Sequence, residues 1–177
     1  VKRIKTTMKA EIVSNFFTLV WKMIIYNLRI IFANKFIWFL GGSVLFYLGL
    51  SVIYVFANDI SRVSDLFGVF IFSGILLVFY PSVFGIQNDQ DARTIEILFG
   101  IPNYRYKVWL VRIILIFVIA WLILLVFTSL SSFLIVKFQV FRVTAQVMYP
   151  VLFLGMMAFM LSTVIRNGNG TAVVMII

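Results

Sequence analysis

Asp89, Asp91, Arg93, Glu96 and Arg105 are gathered in one polar stretch, QNDQDARTIEILFGIPNYR (Gln87–Arg105), of an otherwise apolar chain. Their spacing suits ion pairing along a helix. Asp89 and Arg93 stand four apart, Arg93 and Glu96 three apart, each pair contributing about 0.3 kcal/mol. Such residues could instead offer alternating charge to a protein partner. Other chemistry is excluded by residue type. With no cysteine and no histidine there is no thiol nucleophile, thiolate metal site or imidazole base. All six acidic residues, including Glu11, Asp59 and Asp65, lie outside the apolar runs. No carboxylate is therefore placed to relay protons or ligate an ion at membrane depth, as ion-coupled transporters usually require. Neither a catalytic pair nor a metal site is offered, and no cofactor is expected in this chain.

These charges must be positioned by the surrounding chain. Of 177 residues, 63% are hydrophobic and only 12% charged, against about half and a quarter in a soluble domain. The expected fold class is all-α, a multi-span membrane protein, because lipid leaves backbone groups only helical partners. About 20 apolar residues cross the bilayer core. By that length, spans are expected at about 36–56, 66–86, 108–136 and 147–165, with a fifth from 171 onward. A start at Val1 and a stop inside TAVVMII lead us to expect a longer protein, of about six spans.

The net charge of +9 follows the spans rather than a nucleic-acid surface, so no nucleic-acid partner is expected. Arg62, Lys137 and Arg142 fall on one side of the membrane. Lys2, Arg3, Lys5, Lys9, Lys22, Arg29, Lys35, Arg93, Arg105, Lys107, Arg112 and Arg166 fall on the other. By the positive-inside rule the N-terminus and the polar stretch are cytoplasmic. Residues 1–35 then form a cytoplasmic basic tail and an interfacial amphipathic helix. Ser14, Asn15, Thr18, Lys22, Tyr26 and Arg29 make one narrow polar face, suited to membrane lipids at the inner interface. Residues 36–177 form the transmembrane domain. Arg112, only one turn into the third span, can snorkel back to the headgroups.

Within the polar stretch a coupling helix is expected over about 88–100. Asn88 or Asp89 would cap it, Ile95, Leu98 and Phe99 would share its apolar face, and Gly100 with Pro102 would stop it. Inside the spans, Thr128, Ser129, Ser131 and Ser132 cluster in the third. Gly41, Gly42 and Ser43 open the first, and Gly155, Ala158 and Ser162 line one side of the fourth. Such residues serve either helix packing or a translocation path, and packing is the commoner use. Pro81 is expected to kink the second span.

The segment DQDARTIEILFGIPNYR resembles a motif of permease subunits of type-2 ATP-binding-cassette (ABC) exporters, E-x-E-x-G-T-x-E-x-L-x-x-x-P-x-x-R. Asp89 and Asp91 fall on the acidic positions, and Thr94, Glu96, Leu98, Pro102 and Arg105 match in register. Arg93 replaces the usual glycine. The LSTVIRN segment after the fourth span is similar more weakly. The resemblance implies export across a prokaryotic cytoplasmic membrane, with a second permease subunit and a cytoplasmic ABC ATPase as partners. Asp89, Asp91, Arg93, Thr94, Ile95, Glu96, Leu98, Pro102 and Arg105 would couple to that ATPase. The chain lacks the G-x-x-x-x-G-K-[ST] phosphate-binding loop, so ATP and Mg would belong to the partner and this chain would not itself be an enzyme. The alternative, from the residues alone, is a non-transporting membrane scaffold whose polar helix docks a cytoplasmic protein.

Overall fold

The structure, a computed structural model, describes residues 21, 22, 24, 25, 28, 29, 35–57, 63–91, 109–165 and 167–176. Among the described residues, five helices make up the bundle: α1 (Phe36–Ala57), α2 (Val63–Asp91), α3 (Leu110–Leu134), α4 (Val140–Ile165) and α5 (Gly168–Ile176). No strand occurs among the described residues. The fold is all-α, and α1 to α4 are each long and apolar enough to cross a membrane. This is the architecture of a multi-pass membrane protein.

Side-chain placement is the reverse of a soluble bundle. Trp38, Phe56 and Phe133 are more than four-fifths exposed, as are many smaller apolar residues in part. The hydroxyls of Ser43, Ser51, Ser73, Thr128, Ser131, Thr144 and Ser162 belong to buried residues. Hydrocarbon solvates the apolar exterior at no cost, whereas a hydroxyl facing lipid is limited to a carbonyl of its own helix, as exposed Thr163 is to that of Met160.

Consecutive helices run antiparallel, so α2 and α4, which pack directly on each other, run parallel. Phe39 near the start of α1 stacks on Tyr80 late in α2 at 5.0 Å, and Trp109 just before α3 meets Phe159 late in α4 at 5.7 Å. The late turns of α2 and α4 are thereby brought to the same end. Helix α2 is central, packing against all four other helices. Its face of Leu66, Val69, Phe70, Leu77 and Val78 joins Ile116, Phe117, Leu124, Val147 and Val151 in one core.

Two glycines set the spacing of that core. A Cβ on Gly155 would stand 2.5 Å from Val78 Cγ1 and 2.9 Å from Phe117 Cε1 and Cζ. One on Gly74 would stand 2.6 Å from Val151 Cγ2. The backbones of α2 and α4 approach as closely as they do because hydrogen replaces a side chain at both places. Gly41 and Gly42 differ: a Cβ at either meets nothing within 4 Å, so the close-packing role open to them in the sequence is not realised.

Several boundaries depart from the sequence expectation. Helix α4 begins at Val140 rather than near 147, leaving a connection of only a few residues after α3. The polar residues that suggested a loop there, Arg142 and Gln146, are four apart and share an exposed face, while Val143, Thr144 and Val147 turn inward. Pro150 also lies within α4. Helix α2 starts at Val63 and continues to Asp91, with Asp65 in its first turn, where a carboxylate favours the positive end of the helix dipole. Asn167 opens α5: its Oδ1 accepts the Asn169 N–H at 3.0 Å, and its carbonyl accepts both the N–H and Oγ1–H of Thr171.

Candidate coupling surface and buried hydroxyl contacts

Asp89 and Asp91 occupy the last turn of α2, whose helical backbone runs without interruption from the bundle core through both positions. Asn88 and Asp89 therefore extend an existing helix, rather than capping a new one as expected. The mild polarity of Gln87–Gln90 does not break a helix whose preceding turns are fixed by packing. Arg93, Thr94, Ile95, Glu96, Leu98, Pro102 and Arg105 lie outside the described residues, as do most of the coupling helix over 88–100 and the earlier part of the N-terminal segment.

Lys22 and Arg29 lie in helical backbone and are exposed. Trp21, 63% exposed, and the exposed Ile25 share their side of the helix, whereas Ile24 and Leu28 are half-buried. At 100° per residue the exposed four span about one-third of the circumference. Cationic and apolar side chains are mixed on this face, as suits a headgroup boundary where Trp and basic residues are both solvated.

The third-span hydroxyls are partnered within the bundle. Thr128 is buried; its Oγ1 lies 2.7 Å from Thr144 Oγ1 and donates to the Leu124 carbonyl at 2.8 Å. Thr144 Oγ1 reaches the Val140 carbonyl at 2.8 Å. Two hydroxyl protons serve these contacts, so when one Thr bonds across to its neighbour the other holds its own helix carbonyl. Ser132, half-buried, shares contacts with the N–H and carbonyl of Phe138 and so ties the end of α3 to the short connection into α4. Ser129 is exposed on the apolar exterior.

Tyr47 is a member that the sequence reading did not single out. Its hydroxyl, buried at the α1–α3 contact, donates to the Phe127 carbonyl at 2.9 Å and lies 2.8 Å from Ser131 Oγ. Since Tyr47 carries one hydroxyl proton, Ser131 is the donor in the second bond. The available signal was chemical: a tyrosine deep in a span must find a partner for its hydroxyl, and the third span offers a row of them. Two further bonds join helices. Ser43 Oγ donates to the Ser73 carbonyl at 3.0 Å, and Ser162 Oγ to the Val83 carbonyl at 2.8 Å.

Arg112 turns back toward the start of α3. It is only 4% exposed, with its guanidinium 5.3 Å from the centre of the Trp109 ring. Trp109 is itself packed on Phe159 of α4, so the guanidinium rests on protein at the end of the span, the direction in which snorkelling would carry it. No cluster of three metal-ligating side chains occurs among the described residues.

Comparison of the chain with protein-family models, with curated proteins and with solved structures finds no match.

Proposed function

We propose that this chain is the membrane-spanning permease subunit of an ATP-driven exporter of the type-2 ABC kind, in a prokaryotic cytoplasmic membrane. The observation that carries the reading is the unbroken run of α2 from Val63 to Asp91. The helix that packs against the four other helices of the bundle also bears the first two acidic residues of the polar stretch. Force applied to Asp89 and Asp91 by a cytoplasmic partner would thus enter the centre of the bundle directly. The motif-like spacing of Thr94, Glu96, Leu98, Pro102 and Arg105, and the excess of basic residues on that side, support the same assignment. Among the described spans the one acidic residue, Asp65, is exposed in the first turn of α2, so none lies at mid-span to couple ions, and an ATPase partner supplies the energy instead.

In this reading ATP and Mg are bound by the ATPase, and a second permease subunit completes the path. Lys22 and Arg29 hold the N-terminal helix at the inner headgroups. The test is purification from native membranes in mild detergent. Co-purification of an ATPase bearing a phosphate-binding loop, with ATP hydrolysis dependent on the permease, is the expected result. Recovery of a different cytoplasmic protein and no ATPase would replace the exporter by the scaffold reading.

A further inference from the structure

Helix α2 is held in two different ways on either side of Pro81. Before the proline, contact with α4 is close and apolar: Gly74 faces Val151, and Val78 faces Gly155. Beyond it, the grip is polar, through the Ser162 Oγ bond to the Val83 carbonyl at 2.8 Å. Both Pro81 and Val83 are buried. Proline has no N–H to offer the Leu77 carbonyl, and its ring crowds that carbonyl, so the α2 ladder loses a bond between these two grips. The Val83 carbonyl would ordinarily serve only the N–H of residue 87, one turn on. Ser162 thus holds an acceptor in the first turn after the interruption.

Ile75, Val78, Phe79, Gly155, Ala158 and Met175 border a small apolar notch of about 10 Å³ between α2, α4 and α5, beside the interruption.

We propose that Pro81 is a joint in α2 and that the Ser162–Val83 bond is its latch. With the latch closed, residues 82–91 continue the line of the core helix. With it open, they swing about the proline. The distance from Pro81 to Asp91 is ~15 Å along the axis, and proline kinks exceed ~20°, so the end of the helix would move by ~5 Å. A hydroxyl–carbonyl bond suits a latch because its two ends can exchange partners within their own helices: Ser162 with a carbonyl one turn back, Val83 with the N–H of residue 87. That the swing conveys work from an ATPase rests on the function proposed above; the joint itself does not.

The absence of native cysteine makes the test direct. Spin labels are attached to the full protein in lipid nanodiscs through Gln90→Cys, beyond the joint, and Leu122→Cys on α3. Phe72→Cys with Leu122→Cys serves as the pair before the joint. The three α-helical sites at 72, 90 and 122 fall within described helices. Ser162→Ala is expected to shift or broaden the 90–122 distance distribution by several ångströms, ~5 Å by the lever above, and to leave 72–122 unchanged. Pro81→Ala is expected to narrow the 90–122 distribution to one population. Identical 90–122 distributions in parent and both variants overturn the joint. A parallel change in 72–122 also overturns it, because Ser162 would then support the whole bundle. No ATPase is needed, so this outcome is separate from the outcome of the co-purification experiment.

Discussion

Tyr47 and Phe127 lie ring on ring, their centroids 4.3 Å apart and their planes within 4° of parallel, while the Tyr47 hydroxyl donates to the Phe127 carbonyl. Stacking and hydrogen bonding thus join α1 to α3 through one residue pair. Direct backbone approach between these two helices is otherwise limited, so much of their association falls on Tyr47. Tyr47→Phe keeps the ring and loses the bonds to Phe127 and Ser131. It is expected to lower stability by about 1 kcal/mol. Tyr47→Ala also opens a cavity and should cost about 3 kcal/mol. Thermal unfolding in a fixed detergent measures both; equal losses would mean that the ring contributes nothing.

The glycines allow a paired test of backbone approach. Gly155→Ala forces a methyl against Val78 and Phe117 and should destabilise the protein by about 1–3 kcal/mol. Gly42→Ala meets no atom within 4 Å and removes a helix-weakening residue, so stability should hold or rise by up to about 1 kcal/mol. The order of the two melting temperatures decides the matter, and a Gly42→Ala variant as unstable as Gly155→Ala would refute it.

This contrast shows how much the sequence could reveal. Span number and apolar length were legible because hydrocarbon imposes one condition on every backbone group. Which small residues make contacts was not legible, since Gly42 and Gly155 look alike until the opposing helix is present. The same applies to Arg142 and Gln146, read as a loop but set on the exposed face of α4. Periodicity could have placed them there, yet charge count dominated the boundary. Of the candidate coupling residues, Asp89 and Asp91 have a helical backbone in common with the core. The remaining motif positions rest on spacing alone.

Thr128 and Thr144 should be coupled only weakly despite their 2.7 Å separation, because each hydroxyl has a carbonyl of its own helix within reach. Thr128→Val and Thr144→Val remove one hydroxyl each with little change of shape. A double-mutant cycle between them is expected to return an interaction energy of about 0.6 kcal/mol, the usual size for hydroxyl bonds between membrane helices. A value above about 2 kcal/mol would show that the cross-helix bond excludes the back-bonded arrangement.

The exporter reading makes its sharpest demand on Glu96. It stands at an acidic position of the motif-like stretch, and the proposed partner contact requires negative charge there. Glu96→Lys reverses that charge. If the contact forms, like-charge repulsion should release the ATPase or uncouple ATP hydrolysis from transport, whereas insertion and thermal stability of the permease should not change. Glu96→Asp retains the charge on a shorter arm and should retain most of the coupling. Both variants are measured in reconstituted membranes by ATPase co-purification and by permease-dependent ATP hydrolysis. A Glu96→Lys protein that retains the ATPase and full hydrolysis would remove this position from the coupling surface. Loss of folding in the same variant would instead place Glu96 in the permease's own structure, a different result read directly from the melting curve.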